Sequence, residues 1–282
     1  MHKKHKISSV IFFCVLLLIL LPCGIAFYSF YLEPFRLTID TLSLESSLSR
    51  EVRIVQVSDI QISRHYTTEN LEKVVQAVNR QQPDILLFTG DLYENYASYR
   101  DDEALISLLS QMDAKYGKFA IWGNRDYGGG AVRKYESILA QSGFTLLTNA
   151  SVSIPVSDTD TVFLAGLDDA LLGQPDITPI LEQLSGDENT YTILMTHEPD
   201  TAEQYAQMGF DLIVSGHSHG GQVKIPFFPT ITTHLAERYI DGLYSLNEQT
   251  QLYVNSGIGT SRIPVRFRVP PEISLLLLKA AA

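Results

Sequence analysis

Five short polar motifs each follow a predicted strand, and this pattern constrains the fold more than any other feature of the chain. From Arg53 onward, apolar runs typical of buried strands alternate with segments of helical periodicity, which predicts an α/β domain. Ligands bind outside the carboxyl ends of such strands, so the motifs are expected to converge on one cleft. The motifs are Ser58-Asp59-Ile60-Gln61, Thr89-Gly90-Asp91, Gly123-Asn124-Arg125-Asp126, Thr196-His197-Glu198 and Gly216-His217-Ser218-His219-Gly220-Gly221.

The elements between the motifs are assigned from hydrophobic spacing and turn residues. The i, i+3, i+4, i+7 spacing from Leu71 to Val78 predicts a helix over 69–81, and further helices are predicted at 104–112 and 132–141. Asp200 and Glu203 have the spacing of a capping box at the start of a short helix. Strands are predicted at residues 53–58, 85–89, 118–122, 162–166, 192–196, 212–215, 252–255 and 273–278.

The side chains in the motifs are those of a metal centre. Carboxylate, amide and imidazole groups suit Mn, Fe or Zn. Two such ions about 4 Å apart clamp a phosphoryl group and supply hydroxide at neutral pH. Each motif alone has a structural interpretation, because an aspartate after a strand commonly caps a turn and a lone histidine commonly forms a loop hydrogen bond. The five motifs together favour metal binding.

In this order the motifs resemble those of the calcineurin-like metallophosphoesterase family, and most of all its bacterial membrane-associated branch of the YkuE type. The resemblance extends over about residues 52–278. It implies a four-layer α/β/β/α sandwich, preceded in this chain by one transmembrane helix. It also implies two divalent ions (Mn, Fe or Zn) and hydrolysis of a phosphate ester by attack of a metal-bridging hydroxide.

The resemblance carries the family's ligands over by position. One metal is expected on Asp59, Gln61, Asp91 and His219, and the other on Asp91, Asn124, His197 and His217. Asp91 is thus the expected bridge between the two ions, and Asn124 is expected to contact a phosphate oxygen as well.

Two motif residues depart from the family pattern. Gln61 stands where the family usually has histidine, which predicts a weaker first metal site or a different metal preference. Arg125 also replaces a histidine; since arginine does not give up its proton, only charge stabilisation is expected from it, with Asp126 orienting it. His65 is a candidate replacement for the missing histidine, and its alternative interpretation is a surface loop residue. Arg262 and Arg266 either meet substrate phosphate or form structural ion pairs.

The N-terminal segment predicts a membrane anchor. No charged residue occurs from residue 7 to residue 32, and about 20 apolar residues span a bilayer. Lys3, Lys4 and Lys6 predict a cytoplasmic N-terminus and a catalytic domain outside the cell membrane. The alternatives are a signal peptide cleaved near Gly24-Ile25-Ala26 and lipid attachment at Cys23. The expected organisation is an anchor over 1–32, a connector with an edge strand over 33–50, and the catalytic domain over 51–282.

Charge and cysteine content exclude other classes. The net charge is −11 and no basic cluster lies in the body of the chain, so nucleic-acid binding is not expected. Cys14 and Cys23, the two cysteines, both lie in the apolar segment. The rest of the chain therefore has neither a disulfide framework nor a cysteine metal site.

Two functions fit these observations. The first is an active phosphoesterase on the outer face of the membrane, with a phospholipid headgroup, a lipid-linked sugar phosphate or a wall polymer as substrate. The second is a metal- or phosphate-binding pseudoenzyme acting as sensor or scaffold, in which Gln61 and Arg125 have removed catalysis. The enzyme is favoured because both replacements keep a chemical role and Asp91, Asn124 and the histidines are present. The substrate, the ester class, the metal and the oligomeric state do not follow from the sequence.

Overall fold

A long apolar helix precedes the folded domain. The computed structural model describes residues 2–184 and 187–280, beginning with α1 at His2–Phe27. A π-helical turn at Tyr28–Leu32 and a 3-10 turn at Glu33–Phe35 follow α1. The segment Val15–Phe35 is long and apolar enough to cross a membrane and packs against almost nothing in the chain. A signal sequence has the same length and composition.

Twelve strands in the described part of the chain form two mixed sheets of six. The strands are β1 (Thr38–Glu45), β2 (Val52–Val57), β3 (Ile85–Phe88), β4 (Lys118–Ala120), β5 (Phe144–Leu146), β6 (Ala150–Pro155), β7 (Thr161–Gly166), β8 (Thr190–Met195), β9 (Leu212–Ser215), β10 (Gly242–Ser245), β11 (Gln251–Val254) and β12 (Glu272–Lys279). The order is β1-β12-β2-β3-β4-β5 in the first sheet and β10-β11-β9-β8-β7-β6 in the second. Strands β2 to β5 are parallel, as are β7, β8, β9 and β11. The motif-bearing strands therefore end at one edge of each sheet.

Short helices cover the outer faces of the sheets. They are α2 (Thr68–Arg80), α3 (Asp102–Leu109), α4 (Asn124–Gly128), α5 (Tyr135–Gln141) and α6 (Thr178–Leu181), with 3-10 turns at Pro199–Gln204 and His219–Gly221. Helices α2, α3 and α5 share a core with the first sheet, and the layer beyond the second sheet consists only of short helical segments.

Successive residues of the central strands enter different cores, because side chains alternate across a strand. Ile54 lies between the two sheets, whereas Val55 lies beneath the helices of the first sheet. Leu164 likewise lies between the sheets, and its neighbour Phe163 packs on Ile180 in the outer core of the second sheet. Three cores thus separate four layers, which confirms the α/β/β/α sandwich with its preceding apolar helix.

Some local predictions were wrong. The capping box at Asp200 and Glu203 does not form, since no side chain caps the turn at Pro199–Gln204. The Asp200 carboxylate instead accepts hydrogen bonds from the backbone of residues 237–239, and Glu203 accepts one from the Tyr239 hydroxyl. Sequence analysis also missed β5, β6 and β10. These are short or edge strands whose composition is too polar or too mixed to give an apolar run.

We expect Leu164→Ala to lower the free energy of unfolding by about 2–5 kcal/mol, because it leaves a cavity between the sheets. Leu181→Ala is the matched control, since Leu181 is 38% exposed on α6, and it should change stability little. The measurement is urea denaturation of the full chain in detergent. Equal effects of the two variants would contradict this description of the core.

Candidate metal centre

The five polar motifs meet where the two sheets abut. The first three follow β2, β3 and β4 of the first sheet, and the last two follow β8 and β9 of the second. The ligand atoms of Asp59, Asp91 and His197 all lie within 4.8 Å of one another. His197 and His217 form a second group of the same size with Glu198. The structure therefore brings residues from both sheets into one cluster.

Short distances connect the remaining members of the cluster. His197 Nε2 lies 3.5 Å from Asp91 Oδ1, and His219 Nε2 lies 3.4 Å from Asp59 Oδ1. Gln61 Nε2 donates to Asp91 Oδ2 at 3.1 Å and lies 3.0 Å from His219 Nε2. Every residue expected to bind metal except Asn124 is thus linked directly to another, and Asn124 lines the same cleft.

The expected ligands include buried atoms that no hydrogen bond satisfies. Four buried atoms have no hydrogen-bond partner among the described residues: Asp59 Oδ1, Gln61 Oε1, Asn124 Oδ1 and His197 Nε2. Buried polar atoms are nearly always paired, so four orphaned acceptors in one cluster indicate a missing partner. Oxygen and imidazole nitrogen atoms of this kind fit divalent metal ions.

In two of the histidines, a hydrogen bond to a backbone carbonyl determines which ring nitrogen is free to bind a metal ion. His197 Nδ1 lies 2.6 Å from the Thr89 carbonyl, and His217 Nε2 lies 2.9 Å from the His234 carbonyl. Because a carbonyl only accepts, each of these nitrogens donates a proton. The lone pair of a neutral ring is then on His197 Nε2 and on His217 Nδ1, the arrangement that orients metal-binding histidines.

The backbone is strained at the cluster. Asp59, Gln61, Asp91, His217 and His219 have φ values of 49°, 48°, 62°, 66° and 51°. Non-glycine residues rarely adopt this left-handed conformation, and where they do they concentrate at functional sites. These five of the seven expected ligands project into the cluster from turns that tertiary structure holds in place.

Close packing at the turns leaves no room for some side chains. A Cβ atom on Gly216 would lie 1.9 Å from Ser58 Oγ and 2.4 Å from Asp59 Oδ2. One on Gly123 would lie 2.3 Å from Asp91 Oδ1. The two glycines therefore let the motif backbones approach the carboxylates directly.

Charge and burial determine the protonation of the cluster. Burial opposes ionisation of Asp91, but the neighbouring His197 and the hydrogen bonds to the carboxylate lower the pKa of Asp91 to about 2. Burial, reinforced by the charge of His197, lowers the pKa of His217 to about 4, and burial likewise lowers that of His219 to about 4. Burial opposes protonation of His197 too, but Asp91 raises the pKa of His197 well above its usual range. At neutral pH and without bound metal, Asp91 and His197 are therefore charged, whereas His217 and His219 are neutral.

Asp126 connects the turns of the second and third motifs. The prediction that Asp126 orients Arg125 was wrong. The Asp126 carboxylate accepts hydrogen bonds from the backbone nitrogens of Asp91, Leu92 and Gly123 at 2.9–3.0 Å. Within residues 2–184 and 187–280, the Arg125 guanidinium contacts Ser261 Oγ at 2.8 Å and Glu94 Oε1 at 3.6 Å. The three backbone donors occupy both carboxylate oxygens of Asp126.

Comparison with known proteins identifies the family. The sequence profile of the calcineurin-like phosphoesterase domain matches residues 52–221. Metallophosphoesterase YkuE of Bacillus subtilis is 37% identical over 258 residues, which cover 90% of this chain and 89% of YkuE. The chain belongs to the calcineurin-like metallophosphoesterase family. Members of this family use divalent metal ions, in agreement with the donor set described above.

Two other relatives carry informative names. UDP-2,3-diacylglucosamine pyrophosphatase LpxG of Chlamydia trachomatis is 30% identical over 284 residues, covering 80% of this chain and 83% of LpxG. A transmembrane protein with metallophosphoesterase domain from Danio rerio is 32% identical over 240 residues, covering 82% of this chain. The chain spans about half (54%) of that longer relative.

A cleft of about 470 Å³ opens over this metallophosphoesterase centre. Its lining includes Gln61, Asp91, Asn124, Arg125, His217, His219 and Arg262. His65 is exposed and does not line the cleft, which contradicts its hypothesised role and agrees with a surface loop residue. Arg266 is fully buried and donates to the carbonyls of Gly259 and Val269, so its role is structural.

Sequence analysis assigned no role to Glu94, Ser261 or Glu198. Glu94 and Ser261 hold Arg125, and Glu198 is a buried carboxyl beside His197 whose pKa burial raises well above its usual range. Glu94 lies three residues after Asp91 and Glu198 lies within the fourth motif, and these positions were the only signals available. The segment containing Ser261 is far from any motif in sequence.

We expect Asp126→Ala to reduce both stability and metal content, because three backbone N–H groups lose their acceptor. Each buried unsatisfied group costs about 1–3 kcal/mol. Asp158→Ala, at an exposed aspartate, is the control and should change neither quantity. Urea denaturation and elemental analysis of the purified chain measure the two effects. Normal metal content in a destabilised Asp126→Ala chain would show that metal binding does not depend on the hydrogen bonds of Asp126 to the two turns.

Proposed function

We propose that the chain is a membrane-anchored hydrolase that cleaves a phosphate ester outside the membrane with two divalent metal ions. The observation that carries the proposal is the cluster of orphaned acceptor atoms on Asp59, Gln61, Asn124 and His197, next to the charged Asp91. A module that bound phosphate without metal would need hydrogen-bond donors for the anion, and unsatisfied oxygen acceptors do not supply them.

The ligand sets follow the family order. Asp59, Gln61, Asp91 and His219 would hold one ion, and Asp91, Asn124, His197 and His217 would hold the other. Gln61 donates through its amide nitrogen to Asp91, and its unpartnered oxygen becomes a ligand when the amide rotates by half a turn. A neutral amide oxygen is a weaker donor than imidazole, so the ion on Gln61 is proposed to bind less tightly.

The side chains around the ions position and neutralise the substrate. When bound, the two ions supply positive charge for the phosphoryl group and a hydroxide nucleophile at neutral pH. Asn124 faces the same cleft and is proposed to contact a phosphate oxygen. Arg125 brings a permanent positive charge that stabilises the developing negative charge, and Glu94 and Ser261 fix its guanidinium. Arg125 does not protonate the leaving group, which favours substrates with good leaving groups.

The proposed location and substrate class rest on the N-terminal helix and on the relatives. Lys3, Lys4 and Lys6 precede the apolar segment, so the positive-inside rule places the domain on the far side of the membrane. The pyrophosphatase named among the relatives acts on a diacylated sugar nucleotide. These observations support a lipid-linked phosphate ester as the substrate of this chain.

We expect Asp91→Ala to remove most of the bound metal and to reduce turnover to background, because Asp91 is the proposed bridge between the ions. The full chain in detergent is analysed for Mn, Fe and Zn and assayed with an activated phosphodiester and a phosphomonoester. Asp158→Ala is again the control. Near two ions per wild-type chain, with both metal and turnover lost in Asp91→Ala, is the expected result. A wild-type chain with no metal and no turnover under added Mn would contradict the proposal and favour the pseudoenzyme.

We expect Arg125→Met to lower kcat about 10²-fold with unchanged metal content, because a positive charge at the phosphoryl group is lost. Arg133→Met, at an exposed arginine outside the cleft, is the matched control. Steady-state kinetics and elemental analysis of both variants are compared. Metal loss in Arg125→Met without a change in kcat per bound metal would contradict the assigned role.

A further inference from the structure

Five large apolar side chains stand exposed beside the metal cleft. We call Ile225, Phe227, Phe228, Ile231 and Ile263 the apolar rim. Phe227 is fully exposed and Phe228 is 70% exposed. Exposed apolar patches of this kind mark interaction sites in soluble and membrane-associated proteins.

The shape of the apolar rim is fixed by its backbone. Pro226 and Pro229 flank the two phenylalanines, and proline restricts the chain on each side. Phe227 has a φ of 69°, which is strained for a bulky side chain. This strained conformation directs an aromatic ring away from the protein, and no packing inside the described chain compensates for it.

The apolar rim borders the cleft that holds the proposed ions. Ile225, Phe227 and Phe228 belong to the loop formed by residues 222–231. Gln222 at the base of this loop and Ile231 at its other end both line the cleft. Leu172 is 55% exposed and lines the same cleft. The mouth of the cleft is therefore bordered by exposed apolar side chains.

The apolar rim also lies beside the end of the N-terminal helix. The backbone nitrogen of Arg266 donates to the Ser29 carbonyl at 3.0 Å. The next residue, Phe267, exchanges backbone hydrogen bonds with Gln222 and Lys224 at 3.0 and 2.9 Å. Residues 266 and 267 are thus hydrogen-bonded to the helix end and to the segment 222–224, respectively.

We propose that the apolar rim inserts into the surface of the bilayer that holds the N-terminal helix, and keeps the mouth of the metal cleft against the lipid headgroups. Phe30 and Tyr31 are exposed aromatic residues at the helix end, and in this arrangement they enter the same membrane surface. Arg262, exposed and lining the cleft, supplies a cation for lipid phosphate. Aromatic side chains with neighbouring cations are typical of such interfacial contacts.

This arrangement deepens the proposed function and rests on it. A helix alone leaves the domain free to rotate about the helix axis, whereas a second contact with the bilayer fixes which face of the domain meets the lipid. The substrate is then a phosphate ester presented at the headgroup level of the same membrane, and it reaches the ions without leaving the bilayer.

The first test places a tryptophan in the apolar rim. Phe228→Trp in the full chain is reconstituted in vesicles of phosphatidylcholine and phosphatidylglycerol, with and without brominated acyl chains. The wild type has a single, buried tryptophan, Trp122, and supplies the background. Leu181→Trp is the control, because α6 packs on β6 at the sheet edge opposite β10. The expected result is quenching by brominated lipid in Phe228→Trp alone.

Other results of this test overturn the inference. Equal quenching in both variants would mean that the chain has no preferred face toward the lipid. No quenching in Phe228→Trp, in protein that floats with the vesicles after carbonate washing, would remove the apolar rim from the membrane while the helix stays in it. If the same protein then loses self-association in Phe227→Ser/Phe228→Ser, the apolar rim is an interface between copies. Protein that does not float contradicts both the proposed anchor and this inference.

The second test separates surface binding from chemistry. Phe227→Ser/Phe228→Ser should hydrolyse a soluble activated phosphodiester as the wild type does. Its kcat/KM for a phosphodiester carried on a lipid in vesicles should fall about tenfold or more, since burial of each phenylalanine is lost. An equal fall for both substrates would overturn the inference. If the wild type hydrolyses neither substrate, the proposed activity is contradicted and the quenching result alone decides on the apolar rim.

Discussion

The rest of the structure depends on the burial of two carboxyl groups, those of Asp59 and Asp91, at the junction of the two sheets. Unpaired buried charge is costly, so each carboxylate is surrounded by donors. The backbone nitrogen of His217 and the Ser58 hydroxyl donate hydrogen bonds to the Asp59 carboxylate. The backbone nitrogen of Arg125 donates one to Asp91. Gly123 and Gly216 leave room for this arrangement, because a Cβ atom at either position would lie within 2.4 Å of a carboxylate oxygen. Asp59 Oδ1 has no hydrogen-bond donor and is one of the atoms proposed to receive metal.

The two departures from the family pattern change the character of this centre. Histidine is a base, a ligand and a proton donor, whereas Gln61 supplies at most a neutral oxygen and Arg125 a permanent charge. Glu94 and Ser261 hold that charge at the cleft instead of leaving it mobile. The proposed centre would act on phosphate through charge and position, and the leaving group would depart without a proton from residue 125.

The N-terminal helix and the metal centre share one framework. Arg266 donates through its backbone to the Ser29 carbonyl at the helix end, and its buried guanidinium lies 3.4 Å from His219 Nδ1. Phe35 stacks on Tyr66, with ring centroids 6.1 Å apart, and β1 then joins the first sheet beside β12. The apolar helix is therefore continuous with the domain, so the proposed membrane contact of the apolar rim would orient a cleft that is fixed relative to the helix.

The sequence by itself determined the strand-and-motif order, because apolar runs and polar strand ends are local features. The sandwich and the expected metal ligands followed from the resemblance of those motifs to a known family. The sequence also located the apolar helix. Contacts between distant segments were decided by tertiary structure alone: Asp126 bonds to the backbone of residues 91, 92 and 123, and Arg125 is held by Ser261. The His234 carbonyl that orients His217 gives no sequence signal, since every residue has a carbonyl. His65 is near the first motif in sequence, yet its loop turns outward, because the chain direction after a strand is set by packing and not by spacing.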